Sequence, residues 1–354
     1  MPEQQATQTE PKVFNFDDAV AEAKKSFPKE TEDIVFINSS APDFEEKLAV
    51  FAQEAGLSPN QHLSLLTKGQ NQEAVASVYN GHKIITIPAD REEGQFPGDK
   101  YKSAYFVFQH ELGHFVVPGA HAETGNRDTN WREHAADFFA MTRGVQAGIF
   151  NEKDVVDQAT NRSMMALLAY ADITHLTTMS LDSMVINPKD ADFLTLSNKE
   201  IKSIAKKHAS AFSHDGDTES KFAKVRDINR DFRRKDQQFE SMEELEHTVH
   251  LRLKMLCDIC KESPSNSQAF YLSARILDRV IEQGGVKVRD FGIEVDTNTK
   301  EWQNMKSVIA AKSGERDIGA KNALEESSFT KAKEKNDAKT PIARVRTAIK
   351  PLKI

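Results

Sequence analysis

Residues 101–117 read YKSAYFVFQHELGHFVV, an apolar pattern of helical period that Pro118-Gly119 brings to a stop. Within it His110 and His114 stand four positions apart. On a helix they lie one turn apart on the same face, where two imidazoles can meet one ion. Zinc takes tetrahedral nitrogen, sulfur and oxygen ligands, and a catalytic zinc uses three protein ligands so that the fourth position holds water. Glu111, beside the first histidine, would take that water's proton as it attacks a peptide carbonyl and later deliver a proton to the leaving amine.

His-Glu-x-x-His is a short motif, so its surroundings must supply the third ligand. Glu133 stands 19 residues after His114, in the run Trp-Arg-Glu-His-Ala-Ala-Asp of residues 131–137. That run lies near the start of a second predicted helix, opening at Asp128 or Thr129 and continuing to about Gln146. Asp137, one turn beyond Glu133, is placed to accept a hydrogen bond from the non-metal nitrogen of a ligand histidine. Small residues at Gly113, Ala135, Ala136 and Ala140 favour close packing of the two helices. The candidate site is therefore one zinc per chain on His110, His114 and Glu133, with Glu111 as general base and Asp137 behind the ligands. His121 is the second choice for third ligand, and Asp128 and Asp137 follow it. Tyr170, His175 and His208 are open alternatives for a donor to the developing oxyanion.

Working outward, residues 13–27 carry a short helical pattern, Ile34–Asn38 reads as a buried strand, and Asp43–Ala55 as a helix closed by Gly56. Leu63–Leu66 reads as a short strand. Ala74–Tyr79 and Lys83–Ile87 flank Asn80-Gly81, a pair suited to a two-residue hairpin turn. Beyond residue 151 the patterning is almost wholly helical, with helices predicted near 152–180, 197–213, 216–236, 239–262, 265–284 and 299–312, and a brief hairpin at 286–296. Residues 329–354 are basic, hold two prolines and few large apolar groups, and read as a mobile tail.

The combination of His110, Glu111, His114, Glu133 and Asp137 resembles the gluzincin branch of the zincin metallopeptidases, over roughly residues 30–150. Glu133, Ala136, Phe139 and Ala140 are also similar to the ImmA/IrrE-like regulatory proteases. The metzincin pattern fits less well, because Val117 and Ala120 occupy the places of its glycine and third histidine. The resemblance implies an α+β fold with a zincin-like core at 29–150; the patterning adds a tail and short helix at 1–28 before it and a helical lower lobe and additional helical module at 151–328 after it. It also implies an upper-lobe edge strand that binds extended substrate, a place taken by one strand of the 74–87 hairpin. The expected activity is hydrolysis of peptide bonds in a protein or peptide. The rival is a non-catalytic zinc-containing interaction protein, in which four protein ligands would close the metal site.

The bulk numbers agree with a soluble globular protein. With 354 residues there is chain enough for two lobes, and 39% hydrophobic and 29% charged residues are ordinary for the globular class. A formal charge of -7 gives no general electrostatic reason to bind nucleic acid or acidic lipid. Residues 1–12, MPEQQATQTEPK, lack the basic start and apolar stretch of a secretory signal, and no apolar run approaches a bilayer span. The cytoplasm is the expected location, with export by a route lacking a cleaved signal left open, as is the oligomeric state. The two cysteines, Cys257 and Cys260, cannot form a disulfide framework. With His247 and His250 they suggest a second zinc site, but if 241–262 is one helix, His247 and Cys260 are ~20 Å apart, too far for one ion.

Overall fold

The computed structural model describes residues 13–90, 96, 98–121, 129–167, 172–186, 194–228 and 242–282. The chain divides into two compact units, Met1–Gln158 with Phe193–Ala211, and Ala159–Asp192 with Phe212–Ile354. Its class is mixed, mostly helical with a small three-stranded sheet, as the α+β reading expects.

The first unit opens with α1 (Phe16–Ser26), where the Asn15 side chain accepts a hydrogen bond from the Asp18 N–H, and the single turn α2 (Pro28–Thr31). Strand β1 (Ile34–Asn38) leads into α3 (Phe44–Glu54), and α4 (Pro59–Gln70) follows. The strand expected at Leu63–Leu66 is thus helical. The deciding signal is Ser58-Pro59-x-Gln61: the serine hydroxyl accepts from the Gln61 N–H, the glutamine side chain accepts from the Ser58 N–H, and proline occupies the first turn. Such a cap commits the backbone before the short apolar run begins.

Strands β2 (Val75–Tyr79) and β3 (His82–Ile87) form the expected hairpin. Asn80 at φ 50° and Gly81 at φ 85° supply the two left-handed positions that a tight hairpin needs. The sheet order is β1-β3-β2, with β1 parallel and β2 antiparallel to β3. Being central, β3 buries Ile84, Ile85 and Ile87 completely. It cannot be an edge; within the hairpin that position belongs to β2. One face of the sheet meets Phe44, Leu48, Phe51 and Leu65 from α3 and α4. On the other face Phe36 of β1 stacks on Phe108, with ring centroids 6.0 Å apart, and so seats α5 (Lys100–Val116) against the sheet. Helices α6 (Thr129–Gln146) and α9 (Asn198–Phe212) add the remaining packing of this unit.

In place of one helix over 152–180 the chain forms α7 (Glu152–Met164) and α8 (Thr178–Ile186). Asp172 helps to divert the backbone between them: its Oδ1 accepts from the Thr174 N–H and hydroxyl, the local competition with helical bonding for which aspartate is known. The second unit also holds α10 (Gly216–Asp227), α11 (Met242–Glu262) and α12 (Gln268–Glu282). Its core gathers Phe222 and Val225 of α10, Val249, Leu253 and Leu256 of α11, and Phe270, Ile276 and Leu277 of α12. At the edge of that core Asp182 of α8 accepts from Tyr271 Oη at 2.8 Å, Arg275 Nε at 2.9 Å and Arg279 Nη2 at 2.6 Å, all buried or nearly so.

Helix α11 is continuous from Met242 to Glu262, so His247, His250, Cys257 and Cys260 do not converge on one ion. Burial pushes the Cys257 thiol up to about 11, which makes it an inert packing group. The predicted segments 286–296, 299–312 and 329–354 lie outside the described residues. Among the described residues no helix is long and apolar enough to cross a membrane.

Candidate metal centre on α5 and α6

Helix α5 starts at a capped end, with the Asp99 carboxylate accepting from the Lys102 N–H at 2.9 Å. After the 17 residues of the helix, Val117 leaves the helical conformation and the chain turns at Pro118-Gly119. Between these ends α5 is buried on most of its circumference, because the sheet covers one side and α6 another. Gly113 permits that second approach. A Cβ added there would stand 3.0 Å from the Ala136 Cα and 3.2 Å from Phe139 Cδ1, tight enough that the neighbouring helix would have to give by a few tenths of an ångström. The small residues at this crossing thus set the distance between the two helices.

That distance brings three side-chain atoms together. His110 Nε2 and His114 Nε2 are 3.3 Å apart, and Glu133 Oε2 lies 3.2 Å from the first and 3.7 Å from the second. His110 and Glu133 belong among the side chains able to hold a metal ion. Asp137 is fully buried behind them, its Oδ1 2.7 Å from His110 Nδ1. His114 Nδ1 is 3.1 Å from the Ala120 carbonyl oxygen. A carbonyl can only accept, so His114 carries its proton on Nδ1, and the carboxylate of Asp137 favours the same tautomer at His110. In their neutral form both histidines therefore turn an Nε2 lone pair toward Glu133.

The electrostatics ask for a cation at this point. Burial alone would lower the pKa of His110, but its hydrogen bonds to Asp137 and Glu133 prevail and hold it up to about 9. Two buried carboxylates against neutral imidazoles leave excess negative charge, and a proton or a metal ion offsets it.

The remaining predicted residues are placed as follows. Glu111 is half-buried on α5, one position after the first histidine. His121 lies with its ring stacked on Phe115, centroids 4.8 Å apart; burial and then the nearby His114 push it down to about 4, so it is neutral. Asp128 and Tyr170 lie outside the described residues. His175 belongs to the second unit, where its Nδ1 is 2.6 Å from Asp172 Oδ2. His208 of α9 is buried and stacked on Phe138 at 4.0 Å, and burial pushes it down to about 4. Phe138 is about 100° around α6 from Asp137, so His208 serves as a neutral ring packed on the flank of that helix. Trp131 Nε1 donates to Ser210 Oγ at 3.1 Å along the same contact.

The Ala120 carbonyl was not foreseeable as a partner of His114. It is a backbone atom in a turn, and the residue type at that position carries no signal of its role. Comparison of the chain with protein-family models, with curated proteins and with solved structures finds no match.

Proposed function

We propose that this protein is a zinc-dependent metallopeptidase of the gluzincin kind, hydrolysing peptide bonds in a protein or peptide substrate. The observation that carries this reading is the mutual spacing of His110 Nε2, His114 Nε2 and Glu133 Oε2, 3.2 to 3.7 Å. Ligand atoms about 2.0–2.2 Å from a tetrahedral zinc stand roughly 3.3 Å from one another. Two imidazoles and one carboxylate are also the donor set of known catalytic zinc sites, leaving one position for water. Zinc held there supplies Lewis acidity and a water of lowered pKa.

The chain's own groups would do the rest. Glu111 accepts a proton at its carboxylate and returns it to the leaving nitrogen, which keeps the amine from departing as an anion. Asp137 and the Ala120 carbonyl hold the two histidines in the tautomer and orientation that ligation requires. Strand β2, an edge of the sheet among the described residues and packed beside α5, is suited to hold an extended substrate through main-chain hydrogen bonds.

The test is metal content and cleavage of a denatured protein mixture by the wild type and by Glu111→Gln. Both proteins should carry one zinc, and Glu111→Gln should lose about 10²–10⁴ in rate, the usual worth of a positioned general base. Zinc in neither would sink the reading. A second expected result concerns Asp137→Ala, which should weaken zinc binding ~10–100-fold, measured by competition with a chromogenic chelator. An affinity equal to the wild type would remove Asp137 from the site.

A further inference from the structure

A groove of about 310 Å³ runs between β1 and one flank of α3, within the first unit. Its strand side is Val35, Phe36 and Ile37; its helix side is the stripe Glu46, Val50 and Glu54, with the ion pair Asp43–Lys47 at one end. Val35 and Ile37 alternate onto the sheet face that α3 covers, and Ile37 is sealed in the core there. Val35 and Val50 are not: they are 37% and 52% exposed, and they are among the few large apolar side chains of the described residues that face solvent. Among the described residues β1 has a strand neighbour on one side only, β3. A parallel edge strand next to exposed valines is a feature that soluble proteins ordinarily blunt with lysine or proline, and Ile34–Asn38 contains neither.

We propose that this groove docks an extended basic segment of a partner protein, which adds as a strand to the outer edge of β1 and lays alternate side chains over α3. The chemistry selects the occupant. Strand addition is driven by main-chain hydrogen bonds, and alternate side chains read the surface beneath. The groove floor is apolar at Val35 and Val50, and its helix side carries Glu46 and Glu54 with no basic partner of their own stripe, since Lys47 pairs with Asp43. Glu46 and Glu54 are two turns apart, ~12 Å along the helix. Four residues of strand cover ~13 Å. The matching segment therefore reads basic-x-apolar-x-basic, with a valine or isoleucine over Val35 and Val50 and a lysine or arginine at each end. Neither β2 nor the α5–α6 centre contributes to this groove, so the inference stands apart from the peptidase reading.

The experiment uses full-length protein with Glu111→Gln, which removes any cleavage of the probe. A fluorescein-labelled peptide Thr-Lys-Thr-Val-Thr-Lys-Thr is titrated by anisotropy, with the same peptide bearing glutamate for lysine as the control. Amide hydrogen exchange is followed in β1 and β2. The lysine peptide should bind, protect amides of residues 35–38 and leave β2 unchanged. Its affinity should fall at least tenfold in Glu46→Lys/Glu54→Lys, two exposed positions whose exchange leaves the thermal midpoint near the wild type. Val50→Asp should weaken it as well. No binding, equal binding of the glutamate peptide, or protection of β2 in place of β1 would each overturn the proposal. So would protection of β1 that grows with protein concentration in the absence of peptide, because the occupant would then be a second copy of this chain.

Discussion

Glu133→Ala is expected to purify without stoichiometric zinc and without peptidase activity, while His121→Ala keeps both. The carboxylate is the only anionic member of the proposed ligand set, and its Oε2 is within 3.2 Å of one imidazole nitrogen and 3.7 Å of the other. Taking it away leaves two neutral ligands to hold a dication in a buried place, where an uncompensated charge is costly. The loss should exceed the ~100-fold that removal of an outer partner of a ligand can cost. Glu133→Gln keeps the shape but not the charge and should bind zinc only weakly. His121, stacked on Phe115 and neutral, would lose packing alone. Metal analysis after gel filtration, with circular dichroism to verify folding, separates the cases. Zinc lost from His121→Ala and kept by Glu133→Ala would exchange the two residues' roles.

The second large effect lies in the second unit. Asp182→Ala should destabilise the second unit by about 3–5 kcal/mol, the usual consequence of removing one member of a buried ion pair. Asp182 faces two guanidinium groups at 2.9 and 2.6 Å and a tyrosine hydroxyl at 2.8 Å, and its loss leaves Arg275 and Arg279 charged in the interior. Asp278, 3.1 Å from Arg275, keeps one of them partly compensated. Burial alone would raise the Asp182 pKa, but the charges of Arg279 and then Arg275 prevail and hold it below its ordinary value. A depressed carboxylate contributes stability that is complete above its unfolded pKa of about 3.9 and is lost as the pH falls through the folded value beneath it. The cost of Asp182→Ala should therefore be constant through neutral pH and shrink only in strong acid. Urea denaturation at pH 7 and pH 3 measures both. A midpoint unchanged at pH 7 would refute the account. The exposed pair Lys153–Asp157 is the contrast, and Asp157→Ala should leave the midpoint where it was.

What could be read from the residues beforehand depended on whether the signal was local and chemical or distant and geometric. The four-residue step from His110 to His114 survives any packing, because a helix fixes it, and Asn80-Gly81 names its own turn. The meeting of Glu133 with those histidines was legible as chemistry, while its distance rests on Gly113 and Ala136, whose smallness hints at contact without specifying it. Leu63–Leu66 misled because a short run with three leucines fits a strand as well as a helix, and the cap that arbitrates lies five residues upstream at Ser58. The interruption between α7 and α8 was hidden because no proline or glycine marks the end of α7 at Met164, and the local hydrogen bonds of Asp172 come eight residues after it. The central position of β3 was beyond reach, since strand order in a three-stranded sheet is a matter of which chain segments meet, and hydropathy along one strand does not record its neighbours.

The proposed ligands and the carboxylate behind them fall within 27 positions, from His110 to Asp137. Proteins are made from the amino terminus, so a growing chain that has released α6 already carries every one of these groups, together with the sheet against which α5 rests. The other flank of α6 is still bare at that stage. Its Phe138 and Trp131 wait for His208 and Ser210, which follow 70 and 79 residues later in synthesis. Capture of an ion by the nascent chain would pin α5 to α6 across that interval, and such an ion would serve as a clasp during translation before the proposed chemistry could begin.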